Sequence, residues 1–153
     1  MIVRKAREDE AELLSELHHA IFETSVWESS FWRDSVRDPG CSVLIAEGDE
    51  GPAGLVAARQ ILDEAEILTI GVLPAARREG LGQELLLQTQ AVLTENGTHK
   101  LFLEVAEANH AAIGLYLSAG FGRVGHRKDY YGTGKPAILM EWRTGLPPDR
   151  DRG

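Results

Sequence analysis

The sequence predicts an α/β domain of the α+β kind: a mixed, mostly antiparallel, strongly twisted sheet flanked by helices, spanning residues 1–144, with 145–153 as a disordered tail. Three observations carry that prediction. Apolar, β-prone runs succeed one another through residues 41–72 with only short turns between them, the pattern of an antiparallel meander. Stretches with helical apolar spacing lie before and after it. A chain of 153 residues, 43% hydrophobic and 26% charged, is sized and composed for one buried core.

Residues 2–6 read as a short strand, and residues 8–21 as a helix with Leu13, Leu14, Leu17 and Ala20 on one stripe. An aromatic stretch follows, with Phe22, Trp27, Phe31 and Trp32. In it Ser29 or Ser30 is available to cap a short helix that must stop near Pro39-Gly40. Residues 41–47 and 53–61 form a hairpin about Gly48-Asp49-Glu50-Gly51, and 64–72 a third strand that Pro74 ends. Residues 81–93 place Leu81, Leu85, Leu86, Gln88, Thr89 and Val92 in a helical pattern closed by Asn96-Gly97. Residues 100–105 are a strand, 109–119 a helix stopped by Gly120, and 121–131 with 137–143 a final strand pair. The expected order is β-α-α-β-β-β-α-β-α-β-β.

A formal net charge of -8 argues against general nucleic-acid binding, which needs a basic face, and suits a cationic partner. The same balance also serves solubility alone. No apolar run reaches the length of a membrane-spanning helix, so no membrane role is expected. Met1-Ile2-Val3-Arg4-Lys5 runs into Glu8-Asp9-Glu10 without the apolar block of a secretory signal, so a cytoplasmic protein is expected. Cys41, the single cysteine, cannot form an internal disulfide and reads as a buried, inert thiol in a strand. His18, His19, His99, His110 and His126 show no paired spacing with carboxylates or the cysteine, so no metal is expected.

The segment with most chemistry in it runs Val72-Leu73-Pro74-Ala75-Ala76-Arg77-Arg78-Glu79-Gly80-Leu81-Gly82-Gln83. It leads from a strand through a loop into a helix whose start has two glycines. Such a helix start presents unpaired N–H groups and the positive end of the helix dipole, a setting for a pyrophosphate, with the arginines adding charge. Taken alone the signal is weak, because tight strand-to-helix turns also need glycine for steric reasons. It is neither a Walker loop, lacking Gly-Lys-Ser/Thr, nor the dinucleotide fingerprint, because the surrounding strands read as antiparallel meanders.

Arg77-x-x-Gly80-x-Gly82 after Ile70-Gly71-Val72 resembles the acetyl-CoA pyrophosphate loop of the GNAT acetyltransferases. The likeness continues through Leu103-Glu104-Val105, Asn109, Ala112-Ile113-Gly114-Leu115-Tyr116 and Gly120-Phe121, and covers residues 2–142. With Phe22 and Trp27, and with Tyr130-Tyr131 before Ala137-Ile138-Leu139-Met140, it resembles the RimI-type ribosomal-protein alanine N-acetyltransferases. The chain departs from that pattern at Gly71, where alanine is usual, and at Ala106-Glu107-Ala108, where an arginine-containing run is usual.

The resemblance implies acetyl-CoA as co-substrate, a GNAT fold whose sheet splits between the fourth and fifth strands, and direct transfer without an acyl-enzyme. It makes Glu104 the base, directly or through water, and Tyr116 the acid that protonates the coenzyme A sulfur. Ile70, Gly71, Val72, Arg77, Arg78, Glu79, Gly80, Leu81, Gly82, Gln83 and Asn109 become cofactor-binding, with the Val72 N–H on the thioester carbonyl. Trp27, Glu64 and Tyr131 become acceptor-side residues, and the acceptor the N-terminal alanine of a basic ribosomal protein.

The residues themselves support parts of this. Glu104 interrupts the apolar run Leu101-Phe102-Leu103-Glu104-Val105, where strand alternation sets it on the face of Phe102. Tyr116 also fits as a core aromatic, Asn109 as a helix cap, and Glu64, which shares a face with Glu66, as a solvated carboxylate. An α-amine of pKa near 8 is roughly a tenth neutral at pH 7, whereas a lysine is neutral to less than about a thousandth, so an N-terminus asks less of a base. A small-molecule amine or a lysine remains an alternative acceptor, and a non-catalytic acetyl-CoA sensor or partner subunit an alternative class.

Overall fold

A computed structural model describes residues 2–23, 25–130 and 132–148. The elements are β1 (Ile2–Lys5), α1 (Ala11–Phe22), α2 (Ser29–Arg37), β2 (Cys41–Gly48), β3 (Gly51–Ile61), β4 (Glu64–Val72), α3 (Leu81–Glu95), β5 (Lys100–Ala106), α4 (His110–Ser118), β6 (Gly122–Arg127) and β7 (Ala137–Arg143). Single 3-10 turns stand at Glu8–Glu10 and Pro74–Ala76. This is the order the sequence predicts, in one sheet arranged β1-β2-β3-β4-β5-β7-β6.

Neighbouring strands run antiparallel except β4 and β5, which are parallel because α3 carries the chain back across the sheet between them. Their ladder has three pairs, Glu64 with Lys100, Ala65 with Leu101 and Glu66 with Phe102. Past these a seam opens between residues 67–72 of β4 and 103–106 of β5, at the place where the split is expected.

A bulge sets the orientation of β4 along that seam. Ala57 of β3 faces Thr69 while Ala58 faces Ile67, so Leu68 is the extra residue. Before the bulge Ala65 and Ile67 join the core beneath α3 and α4, and after it Ile70 and Val72 do. Thr69 and Gly71 accordingly turn to the other face, toward α1.

The two faces carry separate cores. On one, Leu85, Leu86 and Leu93 of α3 and Ile113 of α4 pack on Leu101, Leu103 and Val105. On the other, Leu14, Leu17, Ile21 and Trp32 of α1 and α2 pack on Val43, Ile45, Leu55 and Ala57. The N-terminal strand is pinned by Glu10, whose two carboxylate oxygens each accept from the Arg4 guanidinium at 2.8 Å. That bidentate pair and the Arg7 N–H hold the Glu10 carboxyl at about 2, below its ordinary range, despite its burial.

Several local expectations are corrected. The stripe of α1 buries Leu14, Leu17, His18 and Ile21, and leaves Ala20 exposed. Neither serine caps α2: Glu28 stands at its N-cap with no side-chain bond, and Ser29 and Ser30 lie inside the helix. On α3, Gln90 and Leu93 are buried in place of Gln88 and Val92, and Gln90 donates to the Ala119 carbonyl at 2.9 Å. β6 stops at Arg127, short of the expected end at 131. Cys41 is only half-buried, its thiol 3.7 Å from Asp38 Oδ2, and burial together with that carboxylate raises its pKa. In the expected tail, the Leu146 carbonyl lies 2.7 Å from His99 Nδ1; residues 149–153 lie outside the described residues. No helix among the described residues is long and apolar enough to cross a membrane.

Candidate active site

Residues 73–80 leave β4 at the open end of the seam and turn back into α3. Arg78 (φ 73°) and Gly80 (φ 81°) both take the left-handed conformation, which Gly80 adopts without steric cost. Gly80 is the N-cap of α3, and no side chain caps the first turn, so the N–H groups of Leu81, Gly82 and Gln83 are left to an outside acceptor. Arg77, Arg78 and Glu79 are exposed beside it, and Arg77 Nε donates to the Val72 carbonyl at 3.2 Å, tying the loop to β4. At Gly82 an added Cβ would meet only ordinary contacts, 3.5 Å from Leu115 and 3.7 Å from Val72. The chain's own packing does not demand glycine there. The turn is uncapped, glycine-lined and arginine-flanked, so its free N–H groups can donate to an anion.

Gly71 has a different reason. A Cβ on it would stand 2.7 Å from Ile21 and 2.8 Å from Phe22, so α1 lies directly on the backbone of β4 and leaves no room even for alanine. Ile70 and Val72, its neighbours, face the α3 side beside the seam.

On the opposite face of β4, β5 and β7 is a groove of about 760 Å³ lined by Arg59, Ile61, Glu64, Glu66, Phe102, Glu104, Arg127 and Leu139, among others. Strand alternation puts Glu104 on the face of Phe102, as expected, with its side chain 25% exposed. Glu64 and Glu66 share that face, and the groove holds four carboxylates, counting Asp63, against two guanidinium groups. Arg127 Nη1 approaches Glu104 Oε1 to 3.4 Å, and the Arg127 guanidinium lies 5.3 Å from the Tyr130 ring centre.

Tyr116 is on the other side of the sheet, 7% exposed, with its ring 5.8 Å from that of Phe121. Glu104 and Tyr116 thus flank β5 from opposite faces. Asn109 caps α4, its side-chain oxygen accepting from the Ala112 N–H at 3.2 Å. Trp27 lines a separate shallow recess with Glu28, Ser30, Phe31 and Asp34, which shares no residue with the acidic groove. Tyr131 lies outside the described residues.

Arg59 and Arg127 belong to the groove and carry no local sequence signal. Arg127 and Glu104 are brought together by β7, which pairs with both β5 and β6. Glu107, in the departure before Asn109, is 3.7 Å from His126 Nε2 across the same arm.

The family model described as Acetyltransferase (GNAT) family matches residues 7–121. The chain is 33% identical over 144 residues to a putative [ribosomal protein bS18]-alanine N-acetyltransferase of Bacillus subtilis, covering 93% of this chain and 94% of that one. The crystal structure of the ribosomal-protein-S18-alanine N-acetyltransferase from Escherichia coli superposes with a TM-score of 0.84 at 24% identity, over 97% and 96% of the two chains. An aminoglycoside 6'-N-acetyltransferase complexed with coenzyme A superposes with a TM-score of 0.81 at 17% identity, over 97% and 100%, so the fold alone does not discriminate between acceptors. The chain belongs to the GNAT family of acetyl-CoA-dependent N-acetyltransferases.

Proposed function

We propose that this acetyltransferase modifies the N-terminal α-amine of a protein that begins with alanine and continues with basic residues, in the first instance a ribosomal protein. The observation that carries the reading is the carboxylate-rich groove with Glu104 beside the seam, on the face away from the glycine loop. The full-length likeness to the Bacillus subtilis protein supports the alanine acceptor.

In this reading the pyrophosphate of acetyl-CoA rests on the first turn of α3, and the acetyl arm lies along residues 70–72 at the seam, with Asn109 beside the arm. The amine arrives from the groove face. Glu104, directly or through a water, takes its proton as nitrogen attacks the thioester carbonyl, and the Val72 N–H stabilises the oxyanion. The C–S bond breaks, and Tyr116, on the opposite face of β5, supplies the proton to the departing thiolate. Base and acid on opposite faces suit a reaction carried out through an opening in the sheet, because the amine reaches the acyl carbon from one side and the thiolate is protonated as it leaves on the other. Glu64 and Glu66 draw the cationic residues that follow the acceptor amine, and Tyr131 belongs to the acceptor side, whereas Trp27 stacks on His18 away from the groove.

Thiol release from acetyl-CoA tests this with an alanine-terminated basic peptide, the same peptide blocked at its N-terminus, a peptide whose only free amine is a lysine, and a panel of small amines. Turnover confined to the free N-terminus is expected. Turnover confined to lysine or small amines moves the acceptor to that class.

A further inference from the structure

The stripe of α1 that buries Leu14, Leu17 and Ile21 also buries an imidazole: His18 is 2% exposed. Its ring stacks on Trp27 with centroids 4.4 Å apart and planes at 25°, and lies 4.6 Å from Phe22 and 5.6 Å from Trp32. A position enclosed by three aromatic rings asks for an apolar side chain, because burying two ring nitrogens costs desolvation that only hydrogen bonds offset. One nitrogen is matched, with Nε2 3.2 Å from Thr69 Oγ1, while Nδ1 is buried without a hydrogen-bond partner among the described residues. The arrangement selects the neutral tautomer in which Nε2–H donates to Thr69 and Nδ1 keeps a bare lone pair. A second proton would find no acceptor, and burial, helped by the charge of His19, lowers the pKa of His18 to about 4.

Thr69 is the residue directly after the Leu68 bulge, and two residues before Gly71, where Ile21 and Phe22 of the same helix fill the Cβ space. α1 therefore grips the post-bulge end of β4 at two points, one polar and one steric. That end has no ladder to β5, so the pairing that orients an inner strand on both sides acts here on one side only.

We propose that His18 is a positioning residue for acetyl transfer: through Thr69 it fixes the rotation of β4 beyond the bulge, and hence the direction in which the backbone of residues 70–72 faces the seam. The stacking of Trp27 on His18 ties this setting to the α1–α2 segment. The inference rests on the reading that the acetyl arm lies along residues 70–72. It goes beyond that reading in giving a buried residue of the opposite layer control over the alignment of the oxyanion donor.

The test measures acetyl-CoA turnover and, by calorimetry, acetyl-CoA binding for the full chain and for Thr69→Val, Thr69→Ser, His18→Met and His18→Gln. Thr69→Val and His18→Met are expected to lower kcat about tenfold with KM for acetyl-CoA within about twofold. Thr69→Ser and His18→Gln, which keep a hydroxyl and an N–H at these positions, are expected to recover to within about threefold. An unchanged kcat in folded Thr69→Val overturns the role of His18. Equal losses in Thr69→Val and Thr69→Ser overturn it too, since they report packing and not the hydrogen bond. A wild-type chain that neither binds acetyl-CoA nor releases thiol overturns the underlying site reading instead, so the two failures are distinguishable.

Discussion

The two faces of the sheet are built on different terms. Beneath α3 and α4 the core is the larger, built mainly of Leu, Ile, Val, Ala and Met with Tyr116 and Phe121 at one end, and its buried polar groups, Thr89 and Gln90 of α3, carry no titratable charge. Beneath α1 and α2 it is smaller and includes an aromatic cluster around a buried histidine. Beyond those helices the same face holds an acidic groove over β4, β5 and β7. In the proposed reading the first face is the firm wall on which acetyl-CoA, the same in every turnover, would rest. The second combines a rigid brace with a charged surface, which is where acceptor selection can vary without disturbing the fold.

The largest expected effect separates chemistry on the groove face from stability. Glu104→Gln should lower kcat by about 10²–10³-fold, the range general base catalysis contributes. Thermal stability should change little, because the carboxylate is partly solvated and its partner Arg127 is half-exposed, and such pairs contribute roughly 0–1 kcal/mol. Acetyl-CoA affinity measured in parallel should be unaltered, since the glycine loop proposed to hold the pyrophosphate belongs to the other side of the sheet. A variant that binds the cofactor normally and still turns over at the wild-type rate removes Glu104 from the chemistry.

The second effect contrasts the buried polar groups with the apolar core, which has no titration of its own. His18 has a folded pKa of about 4 against an ordinary 6.5, so below pH 6.5 the unfolded chain binds a proton that the folded chain refuses. Stability is therefore full above about 6.5 and falls as pH drops toward 4, by up to about 3 kcal/mol from this group. Glu10, lowered from 4.5 to about 2, contributes above 4.5 and loses its share between 4.5 and 2. Urea melts across pH 7 to 4.5 should show a slope that His18→Gln abolishes. A slope that survives the substitution locates the acid sensitivity elsewhere.

Much of this contrast was legible in the sequence, and the remainder was not for identifiable reasons. Strand alternation placed Glu104 with Phe102, and the bounds of β4 and β7 followed from apolar runs ended by turns. In the glycine loop only Gly80 is required by backbone geometry, so the loop was a weak signal on its own and stood out through its family resemblance. His18 completes the spacing Leu14, Leu17, Ile21, so its burial was available from the helical period, but polarity argued against placing a histidine in that stripe. The Leu68 bulge is invisible without the partner strand, since one strand read alone alternates evenly. The approach of Arg127 to Glu104 depends on two registers and on a second irregularity between Arg123 and Gly125. Trp27 is correctly aromatic and half-buried, yet its ring is committed to His18 and to a recess apart from the groove.

The smallest effect probes charge on the groove without touching the base. Glu64→Gln removes a carboxylate with no ion pair among the described residues, whereas Glu66→Gln also leaves Arg59, 3.6 Å away, without that counter-charge in the groove. Both should raise KM for a basic alanine-terminated peptide by about two- to tenfold at low salt, Glu66→Gln more than Glu64→Gln, with kcat kept. Because these groups are exposed and the Debye length shrinks to about 3 Å at 1 M salt, the differences should vanish there. A neutral alanine-terminated peptide should not respond to either substitution. If it responds as strongly as the basic one, the carboxylates act on the acceptor amine or the fold of the groove, and charge selection along the peptide is not what distinguishes this face from the other.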